Sequence, residues 1–104
     1  MWFLSWAKLV DYKAALIHAL QNDEDSDNRG YAALCLAQLL RGTSDHDAIQ
    51  ALKVKVLEDS EEGRVRLESY GALLEISGNR SGGDYFSGAA GLEGIDWEWI
   101  HTLS

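Results

Sequence analysis

The stretch Asp25-Ser26-Asp27-Asn28-Arg29-Gly30-Tyr31-Ala32-Ala33-Leu34-Cys35-Leu36 passes within a few residues from helix-capping side chains to apolar ones. Asp, Ser and Asn accept hydrogen bonds from the free N–H groups of a first helical turn, so they mark helix starts. Tyr31, Ala32, Leu34, Cys35, Leu36, Leu39 and Leu40 are apolar nearly all round. They predict a helix buried on most sides until Gly42 stops it. Arg41 suits the negative C-terminal end of that helix.

On the N-terminal side, Trp2, Trp6, Leu9, Val10, Leu16, Ile17 and Leu20 follow three-and-four spacing. That spacing predicts one or two amphipathic helices over roughly 2–21. On the C-terminal side, Thr43-Ser44-Asp45 caps a third helix carrying Ala48, Ile49, Leu52, Val56 and Leu57, with a short strand at Val54 and Val56 as the weaker alternative. Glu58-Asp59-Ser60-Glu61-Glu62-Gly63 is a second acidic turn, and Val65, Leu67, Tyr70, Ala72, Leu73, Leu74 and Ile76 continue from it to Gly78-Asn79. The chain contains no proline, so its helices run uninterrupted.

Shifting the sequence on itself by 37 residues places Asn28-Arg29 on Val65-Arg66, Leu36 on Leu73, Leu39 on Ile76, and Ile17 and Leu20 on Val54 and Leu57. Helix, acidic turn and helix at that period is the pattern of an α-solenoid, in which each helical pair buries its apolar side against its neighbours. The segments Asp25 to Leu34 and Glu61-Glu62-Gly63-Arg64-Val65-Arg66 resemble the HEAT-like repeat family, whose second helix opens with an acidic turn and then a Val-Arg pair. The first copy departs from that pattern with Asn28 in place of valine, and the second with Ser69-Tyr70 where small residues are usual. The resemblance covers about residues 8–78 and implies an all-α fold of about two HEAT-like hairpins. For function it implies a scaffold that binds other macromolecules and names no ligand.

One domain spans residues 1–104, a common domain size. Residues 79–94 form a glycine-rich segment without period, expected to be an irregular loop. Residues 95–103 form a capping segment, read as a short helix with Asp96 near its start in preference to a strand. Trp2, Phe3 and Trp6 at one end, and Trp97 and Trp99 at the other, are read as covers for the exposed ends of the helical stack.

Composition bounds the function. The chain is 46% hydrophobic and 25% charged, a folded domain and not a disordered one. Nine Lys and Arg against 17 Asp and Glu give a net charge of −8, which repels nucleic acids and anionic membranes and favours a basic partner. Lys8 and Asp11 interrupt the apolar start well short of the ~20 residues a membrane span needs. The single cysteine, Cys35, makes no internal disulfide and points to a reducing compartment, the cytoplasm. Among Leu34, Leu36 and Leu39 its thiol reads as inert packing.

Nothing points to an enzyme, a metal site or a cofactor. His18, His46 and His101 lie in separate segments, and Asp45-His46-Asp47, the one local cluster, reads as a helix cap. Gly82-Gly83 matches neither phosphate-binding pattern. The acidic residues crowd into turns where none is obviously buried, so no carboxylate is expected to have a perturbed pKa. A helical-repeat enzyme, a chromophore lyase or a DNA-base glycosylase, conflicts with the short chain and, for the glycosylase, with the acidic charge.

The acidic turns carry the functional expectation. Asp23, Glu24, Asp25 and Asp27 recur one period later as Glu58, Asp59, Glu61 and Glu62, and equivalent turns of a solenoid share an edge. Such a ridge steers a basic partner, although solvation and capping explain the same residues. Arg29 and Arg66 are expected to bridge neighbouring turn carboxylates. Asp84, Tyr85, Phe86, Trp97 and Trp99 add acidic and aromatic character suited to a protein interface, with capping of the core as the competing reading for the tryptophans. Together these residues suggest a protein that neutralises a basic partner by occlusion, as bacterial immunity proteins do for toxin domains. A HEAT-repeat adaptor without inhibitory role is the alternative, and exposed tryptophans also suit a homodimer.

Overall fold

The computed structural model describes residues 6–78, 83–87 and 91–103, without the side chains of residues 6–9 and 84. Among these residues every regular element is helical: α1 (Trp6–Asn22), α2 (Ser26–Leu40), α3 (His46–Leu57), α4 (Gly63–Ser77), α5 (Gly83–Phe86), a 3-10 turn (Leu92–Gly94) and α6 (Trp97–Thr102). The covers expected at Trp2, Phe3 and Trp6 lie outside the described side chains. None of the described helices is long and apolar enough to cross a membrane.

Capping chemistry explains three of the helix starts. Asp25 accepts the N–H of Asp27 at 2.9 Å, Asp45 that of Ala48 at 3.1 Å, and Asp96 that of Trp99 at 3.0 Å. Glycine explains two of the ends: Gly42 and Gly78 both take left-handed backbone, φ 73° and 72°, where a side chain is strained. The loop after α2 is bonded to the end of α4, with Gly42 N–H donating to Glu75 O at 3.0 Å and Ser44 N–H to Ile76 O at 2.9 Å. Val54 and Val56, which allowed a strand, lie inside α3.

α2 packs on α1 and α4, and α3 packs on α1 and α4. Leu20, Leu36, Leu52, Val56, Leu73, Leu74 and Ile76 meet in one core and are fully buried. Each removes apolar surface that is worth about 1.5–3 kcal/mol on burial. The helix enclosed on most sides is α4, not α2: every residue from Glu68 to Ile76 is buried. Tyr31 on α2 is 66% exposed and Cys35 half-buried, which corrects the expectation of an all-round buried α2.

Two short helical turns, α5 and the 3-10 turn, lie within 79–94, and both pack on α4. Tyr70 of α4 is the anchor for this end of the chain. Its ring meets Tyr85 edge-on at 4.7 Å and Trp99 at 6.0 Å, and its hydroxyl accepts the Asp96 N–H at 3.2 Å. The tryptophan reading as a cover for the core describes Trp99.

Candidate functional site

The two acidic turns meet. Arg29, in the first turn of α2, donates to both carboxylate oxygens of Glu61 at 2.8 Å and to the carbonyl of Asp23 at 2.7 Å. Lys55 of α3 reaches the same Glu61 carboxylate at 3.0 Å and Glu58 at 3.4 Å. Arg64 of α4 reaches back to Asp27 at 3.4 Å. Arg29 thus joins the turn Asp23–Asp27 to the turn Glu58–Glu62, Lys55 braces the second turn, and Arg64 ties α4 to the first.

Glu61 is the keystone and is buried, so it leaves the exposed binding set expected from the sequence. Burial works against its charge, but the Arg29 guanidinium, the Glu62 N–H and the Lys55 ammonium outweigh it and hold the carboxyl down at about 2. Glu68 and Glu75 are buried as well, which overturns the expectation that no acid is buried. Burial pushes the Glu68 carboxyl above the usual range, with only partial relief from Arg64. The signals for this network were Gly30 inside a predicted helix and Lys55 on the apolar face of α3, three residues after Leu52.

The remaining turn acids divide by role. Asp25 caps α2, and Asp23 accepts the Asp25 N–H at 2.9 Å, so both serve the turn itself. Asp59 is fully open to solvent with Arg66 at 3.5 Å, Glu58 pairs with Lys55, and Asp27 with Arg64. Glu24 and Glu62 are exposed and have no ion pair among the described residues. Arg66 also donates to Val56 O at 2.8 Å and lies over the Trp97 ring at 5.4 Å. Every lysine and arginine whose side chain is described, Lys13, Arg29, Arg41, Lys53, Lys55, Arg64 and Arg66, is engaged with a group of the same chain. The described surface is left with unpaired carboxylates and no spare cation.

The C-terminal aromatics divide in the same way. Tyr85 is buried, donating its hydroxyl to Gly94 O at 3.0 Å, and Trp99 is half-buried against Tyr70. Phe86 is half-buried, Trp97 is 36% exposed, and the Asp84 side chain lies outside the described residues. The histidine-bearing cluster is occupied structurally: Lys13 of α1 bonds Asp45 at 3.1 Å and Asp47 at 3.4 Å. Asp45 is held below the carboxylate range because the Ala48 N–H and Lys13 outweigh its burial. Among the described residues no group of three His, Cys, Asp or Glu is gathered as a metal site.

Beside the acidic edge, α2, α4 and α5 enclose a cleft of about 500 Å³ that includes Asp27, Tyr31, Leu34, Arg64, Glu68 and Phe86. The stripe is set by helical spacing: Asp27, Tyr31 and Leu34 on α2 face Arg64 and Glu68 on α4. No family model matches the chain, and no curated protein or solved structure is significantly similar to it.

Proposed function

We propose that this all-helical chain is a binding protein that captures a basic protein and neutralises it by occlusion, in the manner of an immunity protein facing its toxin domain. The observation that supports this reading is the charge division described above: each described lysine and arginine is paired within the chain, Arg41 and Arg64 at exposed positions, while Glu24, Glu62 and the nearly free Asp59 stay on one edge. An edge of one sign raises the encounter rate of an oppositely charged partner and disfavours acidic ones. Trp97, on the neighbouring C-terminal segment, supplies aromatic area of the kind that slows dissociation.

We read the frame as two stacked helical hairpins, a minimal HEAT-like solenoid. Two observations support it. α2 and α4 begin 37 residues apart (63 − 26) and end 37 apart (77 − 40), and α2 lies against α4. A solenoid of two units exposes its ends, which the C-terminal segment helps to cover.

The test is capture of partners at low and high salt, with the wild-type chain and with the variant Glu24→Gln/Asp59→Asn/Glu62→Gln. The neutralisation reading expects a basic protein retained at low salt, released at high salt and lost by the variant, whose own activity falls when the wild-type chain is added. A partner held equally by both proteins at high salt, with its activity unaffected, overturns neutralisation in favour of an adaptor.

A further inference from the structure

The cleft between α2, α4 and α5 contains a buried carboxylate, Glu68. Glu68 is only 8% exposed, yet its ion pair, Arg64 Nε at 3.3 Å, comes from a side chain that is itself 73% exposed. Gly30 lies against Glu68: a Cβ built there would meet the carboxylate, the far end of a flexible side chain, which would have to shift. Glycine is disfavoured inside a helix relative to alanine. A desolvated carboxylate and a mid-helix glycine both oppose folding, and such local conflicts concentrate where a protein holds a binding group ready.

The cleft already holds a guanidinium. Arg64 lies across its two carboxylates, with Nη1 3.4 Å from Asp27 and Nε 3.3 Å from Glu68, both longer than good charge-assisted bonds. Tyr31 and Phe86 line the same space, and aromatic faces attract a planar cation. A second depression of about 330 Å³, lined by Leu67, shares Arg64 and Phe86 with the cleft.

We propose that this cleft is a socket for an arginine side chain of the basic partner, whose guanidinium displaces Arg64 and bonds Glu68 and Asp27 while its stem lies against Tyr31, Leu34 and Phe86. The proposal rests on the reading of the chain as a binder of a basic protein. It adds the residue type that the partner inserts. Asp27 and Glu68 against Arg64 leave the lining one negative charge in excess, and moving Arg64 out to solvent raises that to two.

The experiment is a titration of the isotopically labelled full chain, followed residue by residue in amide spectra, with the peptide acetyl-Gly-Arg-Gly-amide. Its citrulline counterpart is the neutral control, and ethylguanidinium the small-molecule control. The expected result is saturable shifts at Tyr31, Leu34, Leu67, Glu68 and Phe86 with the arginine peptide alone. Glu68→Gln should weaken binding by roughly tenfold. Arg64→Ala should tighten it several-fold by emptying the socket, and Tyr31→Ala, at an exposed position, should weaken it without touching the core.

Equal shifts with citrulline, binding of ethylguanidinium as tight as that of the peptide, or weaker binding by Arg64→Ala overturns the socket. Shifts confined to Glu24 and Glu62 also overturn it, while leaving the acidic-edge reading intact. A captured partner insensitive to salt and to the edge variant overturns that reading separately.

Discussion

Glu61 and Glu68 are the same residue type seven positions apart on adjoining turns, and the fold treats them in opposite ways. Glu61 sits between two largely buried cations, so Glu61→Gln leaves Arg29 without a carboxylate partner and Lys55 with only its longer contact to Glu58. The expected loss is about 3–5 kcal/mol, measured by urea unfolding at pH 7. With its carboxyl lowered from 4.5 to about 2, its contribution is present in full above about pH 4.5 and is lost as pH falls toward 2. That contribution is on the order of 3 kcal/mol. Glu68 has the reverse sign: its raised pKa means that the folded state binds its proton more readily than the unfolded chain, so ionisation costs stability. Glu68→Gln should therefore raise the melting temperature at pH 7, with the difference closing in acid where the wild-type carboxyl is protonated. A melting temperature that falls at pH 7 would show that Glu68 is a structural carboxylate.

At the scale of the elements, caps and one aromatic anchor decide how the helices sit. Asp45 both caps α3 and holds Lys13 of α1, so Asp45→Ala removes a cap and an inter-helix bond together. The expected cost is about 1–2 kcal/mol in thermal or urea unfolding. The C-terminal elements hang on Tyr70. Tyr70→Phe removes only the bond to Asp96 N–H and should cost about 1 kcal/mol. Trp99→Ala removes an edge-on ring contact, and amide exchange should quicken at Ile100 and Leu103 while Leu36 and Leu73 stay protected. The element order was legible because Asp25, Asp45, Glu62 and Asp96 stand before α2, α3, α4 and α6 and because Gly42 and Gly78 end two of the helices. The turns α5 and Leu92–Gly94 were not legible, since four- and three-residue elements have no period of their own and exist by leaning on α4.

Across the whole molecule, the net charge of −8 becomes a direction only after pairing is counted. Neutralising Glu24, Asp59 and Glu62 together takes the net charge from −8 to −5 (−8 + 3), and Glu62, the N-cap position of α4, makes no side-chain capping bond to lose. Unfolding free energy should stay within about 0.5 kcal/mol of wild type, as for surface changes away from structural contacts. Association with a basic partner should slow and lose part of its salt dependence, as read by stopped-flow mixing. The same substitutions at Asp23, Asp25 and Glu61 would unsettle the turns that they brace, which confounds binding with folding.

Helical character, the positions of the main turns and the sign of the surface are all readable along the chain, because capping, apolar spacing and net charge are local or additive properties. The sequence also pointed to Arg29 and Arg66 as internal bridges. Tertiary structure alone decided which carboxylates are spent. Glu61, Glu68 and Glu75 read like their solvated neighbours along the chain, and only the approach of α2 and α3 to α4 takes them out of water. Desolvation and pairing depend on what arrives from 30 or more residues away, as Arg29 does at Glu61 and Gly30 at Glu68. The cleft has the same origin, since Asp27, Glu68 and Phe86 share a surface only after three helices have packed.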